Sequence, residues 1–160
     1  MQAYKIPVSV LVIIHTSDLQ ILLLERADHP GYWQSVTGSQ DSGETLVQTA
    51  TREVREETGL NTADFILSNW EIQNHYQLYK EWRWRYPPGV THNTEHVFGL
   101  ELPQTVPVTP SPREHLGYIW LPWQEAADKV FSPSNAQAIR ILADKCKSGK
   151  LATDAVRDKI

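Results

Sequence analysis

A chain of 160 residues with 41% apolar, 9% aromatic and 21% charged side chains has the make-up of one ordinary globular domain, which excludes global disorder and a fibrous architecture. Fifteen lysines and arginines against nineteen acids leave a net charge of −4, so no basic field is present for non-specific nucleic-acid binding. The single Cys146 excludes an internal disulfide and points to a reducing compartment; between Lys145 and Lys147 it reads as a buried structural thiol.

Val8 to Ile14 is β-branched and apolar on both faces, the pattern of a central strand. It is far too short to span a bilayer and no small-residue cleavage pattern follows it, so a cytoplasmic protein without membrane contact is expected. Ile21 to Leu24 reads as a second central strand, and Trp33 to Thr37 as a further strand. Glu44 to Thr58 is a predicted helix, stopped by Gly59 where a left-handed cap is needed. Strands are then predicted over Phe65 to Gln73, Tyr76 to Tyr86, Thr94 to Leu102 and Gly117 to Leu121, with loops at Pro87-Pro88-Gly89 and from Pro107 to Pro112.

In an extended Tyr76 to Tyr86, Trp82, Trp84 and Tyr86 share one face, a surface suited to a homo-oligomer. Trp123 to Val130 reads as a short helical turn. A last helix is predicted from Asn135 to Lys147, capped by Ser134 or Asn135. Strands and helices mix without βαβ regularity, which predicts an α+β class. Residues 1–146 read as one domain and 147–160 as a polar extension of unknown role.

The segment from Gly38 to Leu60, GSQDSGETLVQTATREVREETGL, carries the chemistry. Glu53, Glu56 and Glu57 fall within an arc of about 100° on a helix, beside an apolar stripe of Leu46, Val47, Ala50 and Val54. Like charges about 4 Å apart cost on the order of 4 kcal/mol at an effective dielectric near 20. Arg52 and Arg55 offset part of this, and a hard divalent cation satisfies several carboxylate oxygens together, which implies Mg²⁺ or Mn²⁺.

The same segment fits G-x5-E-x7-R-E-U-x-E-E-x-G-U, where U is a bulky apolar residue, at Gly38, Glu44, Arg52, Glu53, Val54, Glu56, Glu57, Gly59 and Leu60. This is the signature of the Nudix hydrolases, which the sequence resembles. The resemblance implies an α/β/α sandwich with a mixed β-sheet and metal-dependent hydrolysis of a diphosphate linked to another moiety. It also implies that Glu44 pairs with Arg52 to hold the loop onto the helix, and that Glu53, Glu56 and Glu57 ligate metal. Glu53 and Glu114 are both candidates for the general base. Ser39 stands where many members carry a second glycine.

WQSVTGS at Trp33 to Ser39, RYPPGVTHNTEHVF at Arg85 to Phe98 and EHLGYIWL at Glu114 to Leu121 resemble the pterin-linked branch of the family, the dihydroneopterin triphosphate pyrophosphohydrolases of bacterial folate synthesis. That likeness implies hydrolysis of a small-molecule triphosphate to a monophosphate and pyrophosphate. It marks Lys5, Arg26 and Thr37 as substrate contacts, Glu114 as a further metal ligand, and Ser132 with Tyr76 and Tyr79 as lining. The bland readings stand beside these: surface charges at Lys5 and Arg26, an exposed loop acid at Glu114, and at Asn135 a helix cap in place of a substrate contact.

The same chemistry on nucleoside triphosphates or dinucleoside polyphosphates is the alternative, because pockets that stack purines and pterins overlap. His92 and His96 lie in a loop-to-strand stretch and not on a helix, and H-E-x-x-H is absent, so no zinc site is expected; His115, beside Glu114, is a candidate to enter the site but reads first as a surface histidine.

Overall fold

The computed structural model describes residues 4–147. The polar extension expected after Lys147 therefore lies outside the described residues. The strands are β1 (Val8–Thr16), β2 (Gln20–Arg26), β3 (Trp33–Gln34), β4 (Val36–Ser39), β5 (Ile66–Gln77), β6 (His92–Leu102) and β7 (His115–Pro122). The α-helices are α1 (Leu46–Thr58), α2 (Trp123–Lys129) and α3 (Pro133–Lys147).

All seven strands belong to one mixed sheet with the path β3-β2-β1-β6-β5, β4 joining β1 and β7 joining β2. β1 runs parallel to β6 from Val8 beside Thr94 to Thr16 beside Leu102, and the other strand pairs are antiparallel. β1 is buried on both faces, as its apolar run requires. On one side Val10, Val12, Ile14 and Phe98 pack with Ala50 and Val54 of α1. On the other, Leu11, Ile13 and Val97 pack with Ala126 of α2 and Ile139 and Leu142 of α3. This is the α/β/α sandwich, and it gives each face of the sheet its own core.

β1 changes partner along its length. Residues Ser9 to Val12 pair with β4, whereas the contact with β2 is a single register pair, His15 with Ile21. The side chains of α1 approach the first half of β1 beside β4, and this placement builds the site.

Two sequence expectations are corrected. The predicted strand Tyr76 to Tyr86 does not exist as such: β5 runs on to Gln77, and Lys80 to Arg85 form a 3-10 helix. Beyond Leu78, whose N–H bonds Thr91 O, the chain has left the start of β6 and finds no ladder to join. Trp84 stands 64% exposed while Trp82 turns into the cavity, so the shared aromatic face is absent.

The cap of α3 is neither Ser134 nor Asn135. Pro133 takes the first helical position, and Ser132 precedes it, its carbonyl accepting from Ala136 N–H at 3.1 Å. Asn135 instead faces Ser35, accepting from its N–H at 2.9 Å and donating to its Oγ at 3.0 Å. Asn135→Ala should lower unfolding free energy by about 2 kcal/mol in urea denaturation, because a buried N–H is left without an acceptor. A loss under about 0.5 kcal/mol, the range of an ordinary surface substitution, would show that the contact does not tie α3 to the β3–β4 bend.

Cys146 is half-buried against the α2–α3 side of the core, and burial raises its thiol pKa. No described helix is long and apolar enough to cross a membrane.

Candidate active site

Thr45 caps α1 with a reciprocal box, its hydroxyl accepting from Gln48 N–H and the Gln48 side chain accepting from Thr45 N–H. Gly59, at φ 78°, ends the helix in the left-handed region. Between these caps Arg52 is the hub. Its Nε donates to Glu44 Oε2 at 2.7 Å, its Nη2 to Glu44 Oε1 and Ser39 O at 3.0 Å each, and its Nη1 to Glu53 Oε1 at 2.7 Å. Glu44 also accepts from Asp41 N–H and Thr49 Oγ1, both at 2.9 Å. The Arg52 contact, above all, pulls the Glu44 carboxyl down to about 2. One guanidinium thus clamps the loop before α1 onto the helix and orients Glu53.

Glu53 lies flat over Gly38. A Cβ at Gly38 would stand 2.1 Å from the Glu53 Cδ, so only glycine admits that carboxylate. Burial pushes the Glu53 pKa up to about 7 against the opposing pull of Arg52. Glu57 is 4% exposed, and burial first, then Glu53 and Glu114, raise its carboxyl well above the usual range. The Thr37 N–H bonds it, while its Oε2 is buried without a partner. Glu56 is half-exposed, its Oε2 3.3 Å from the Arg52 Nη1 that also holds Glu53, and its charge adds to the rise at Glu53.

Glu114 and His115, where the proline-rich loop meets β7, complete the cluster: with Glu57 their ligand atoms lie within 4.8 Å of one another. His115 is buried and not at the surface, so the alternative of entry beside Glu114 is the one observed, and its Nε2 lies 3.9 Å from Glu57 Oε1. Burial and Arg26 push its pKa down to about 4, so the imidazole is neutral and this is no ion pair. It pairs with Arg26 only through a register shift after Glu25, which no periodicity in the sequence announces. Its Nδ1 is buried without a partner. An orphaned carboxylate oxygen and a converging set of acids, with a neutral imidazole alongside, fit a hard divalent cation.

The raised Glu53 pKa has a sign. An unfolded glutamate titrates near 4.5 and the folded one near 7, so ionising it in the fold costs stability, a penalty absent below about 4.5 and complete above about 7. Metal-free protein should therefore lose stability as pH rises across that window. A divalent cation should raise Tm more at pH 8 than at pH 5 in a melting experiment. An equal rise at both would remove the coupling between Glu53 and the cation.

Glu57, Glu114 and His115 edge a cavity of about 730 Å³. Lys5, Arg26, Thr37, Tyr76, Tyr79, Ser132 and Asn135 all line it. Arg26 is braced by Asp28 at 2.7 and 2.8 Å and by Gln34 at 3.0 Å, and its guanidinium lies 4.7 Å from the Trp82 ring centroid. Tyr79 and Trp82 meet edge to face at 5.1 Å, with Phe131 6.3 Å from each. Thr37 Oγ1 donates to Val10 O at 2.9 Å, so its hydroxyl braces the sheet. The Asn135 amide serves Ser35 at both ends, which leaves it one further N–H and one carbonyl lone pair.

The chain is similar to the dihydroneopterin triphosphate diphosphatase of Escherichia coli K12, 43% identical over 141 residues covering 86% of this chain and 93% of the relative. It is 36% identical to the Haemophilus influenzae protein of the same name, over 88% of this chain and 89% of that one. The solved structure of the E. coli dihydroneopterin triphosphate pyrophosphohydrolase superposes with a TM-score of 0.81 at 42% identity, covering 86% of this chain and 95% of that one. Residues 5–142 match the NUDIX domain. With the signature acids gathered on α1 beside the split edge of β1, and with these likenesses over most of its length, the chain belongs to the NUDIX domain family.

Proposed function

We propose that the protein hydrolyses dihydroneopterin triphosphate to dihydroneopterin monophosphate and pyrophosphate, with Mg²⁺ as the preferred cofactor and Mn²⁺ as a substitute. The observation that carries this reading is the identity of 43% and 36% to proteins of that named activity. It is supported by a cavity that joins an acidic cluster to an aromatic wall. Water adds its oxygen to a phosphorus of the triphosphate, the bridging P–O bond breaks, and pyrophosphate leaves.

A divalent cation, when bound, neutralises phosphate charge and acidifies water. Glu53, Glu57 and Glu114 would hold it, with Arg52 fixing the angle of Glu53 through the 2.7 Å bond. Glu56, which shares Arg52 Nη1 with Glu53, is a further candidate ligand. Lys5 and Arg26 bind the phosphate chain as cations, Arg26 held in place by Asp28 and Trp82. Buried Glu53, whose pKa burial raises to about 7, and exposed Glu114 of the same cluster are the two candidates to take a proton from water.

Purified protein with Mg²⁺ should turn over dihydroneopterin triphosphate with higher kcat/KM than common nucleoside triphosphates and dinucleoside polyphosphates, releasing pyrophosphate and not orthophosphate. Preference for a nucleotide would discard the pterin assignment and keep the carboxylate chemistry.

A further inference from the structure

The far end of the cavity holds a second carboxylate that the hydrolytic chemistry does not use. Glu95 on β6 is 4% exposed. Across the parallel ladder it sits beside Ser9, and Ser9 in turn pairs with Ser39 on β4. Two strand spacings, about 10 Å, therefore separate it from the strand that carries Gly38. Among the described residues no lysine or arginine forms an ion pair with it. It accepts from Asn74 Nδ2 at 3.2 Å and from the Ser134 hydroxyl. A carboxylate offers about four acceptor positions, so part of its capacity stays open toward the cavity.

Burial raises its pKa; an uncompensated buried acid of this kind is a liability in the free protein. Next to it, Asn93 is 1% exposed and donates to Ser9 Oγ at 2.8 Å and Tyr76 Oη at 3.1 Å, while its Oδ1 is buried with no partner. Two acceptors on neighbouring positions of one strand face, Asn93 Oδ1 with no donor and Glu95 with capacity to spare, line one cavity and describe a ligand edge made of N–H groups.

We propose that Glu95, with Asn93 beside it, determines specificity by accepting the adjacent ring N–H and exocyclic amino group of a 2-amino-4-oxopyrimidine edge. Dihydropterins and guanine share that edge; adenine lacks it. The inference rests on the reading of this cavity as a triphosphate hydrolase site with the headgroup remote from the acids. Two coplanar N–H donors match two carboxylate oxygens, and the bond is charge-assisted and shielded from water.

Glu95→Gln keeps volume and replaces one acceptor by a donor. Wild type and variant are compared in kcat/KM on dihydroneopterin triphosphate, GTP and ATP, and in equilibrium dialysis of dihydroneopterin, which has no phosphate. The kcat/KM ratio of dihydroneopterin triphosphate to ATP should fall about 100-fold, chiefly through KM, because the buried donor pair loses its acceptor. Dialysis should show dihydroneopterin binding weakened by a similar factor, with Tm equal to or above that of wild type. Glu95→Asp, which retains the charge but withdraws it, should fall between the two and covers a failure of the first variant to fold.

An unaltered ratio in an enzyme that prefers the pterin would overturn the role of Glu95 and leave the proposed function standing. A wild type that prefers GTP and loses that preference in Glu95→Gln would overturn the pterin assignment and uphold the edge. Preference for ATP overturns both. In the absence of any turnover, dialysis decides: weaker binding by the variant supports the edge, and equal binding overturns it.

Discussion

Glu57→Gln should lower kcat by about 1000-fold while the fold survives, since a ligand of the transition-state metal is worth several kcal/mol. The glutamine occupies the same volume and still accepts the Thr37 N–H. It also removes a charge that burial and two neighbouring acids disfavour, so the metal-free variant should melt at or above the temperature of metal-free wild type. The rise in Tm on adding Mg²⁺ should shrink or vanish. Loss of activity without loss of fold separates the site from the scaffold. Turnover at the wild-type rate would remove Glu57 from the site.

Gly38→Ala should be nearly as damaging, by a different route. The φ of Gly38 is not positive, so alanine meets no backbone strain and the effect is steric alone. The new methyl would lie 2.1 Å from the Glu53 carboxyl carbon, far inside contact distance. The strand cannot retreat, because Gly38 is in register with Val10 of β1. Glu53 must therefore swing off, breaking its 2.7 Å bond to Arg52. Overpacking of this kind costs about 1–3 kcal/mol of stability, and a displaced ligand about 10–100-fold in metal affinity. A double-mutant cycle checks the cause: with Glu53→Ala in the background, Gly38→Ala should cost almost no stability. A cost that persists would place the clash elsewhere.

Those residues were legible in the sequence because they share one helix and its leading loop, where spacing alone sets geometry. The period of the helix put Glu53 and Glu57 on one side, and Gly59 announced its own cap. Glu56 shows what spacing does not set: it shares Arg52 Nη1 with Glu53, yet 53% of its side chain is exposed, and only the packing of α1 on β4 decides how deeply each acid of the arc is buried. Glu114 and His115 arrive through a strand whose register slips at Arg26, so their convergence on Glu57 depends on long-range pairing. Glu95 was hidden for the same reason. Its alternation in NTEHVF marks a strand face, and nothing local says that the face ends in a cavity and not in the core. At Trp82 to Tyr86 the alternating pattern suited a strand, and the absence of a neighbouring strand overrode it.

The parallel pairing of β1 with β6 also bears on how the molecule assembles. Val8 meets Thr94 and Thr16 meets Leu102, so the most apolar strand of the chain must wait for a partner made some eighty-six residues later, the difference between those positions. The antiparallel neighbours of β1, β2 and β4, are available within the first forty residues. Closing the long loop is the entropic hurdle, and it comes before the contacts that reward it. A chain emerging from the ribosome carries Val10 to Ile14 with one edge open until β6 appears. Folding should thus be limited by the docking of β6, and a fragment ending before His92 should expose that edge to association with other chains.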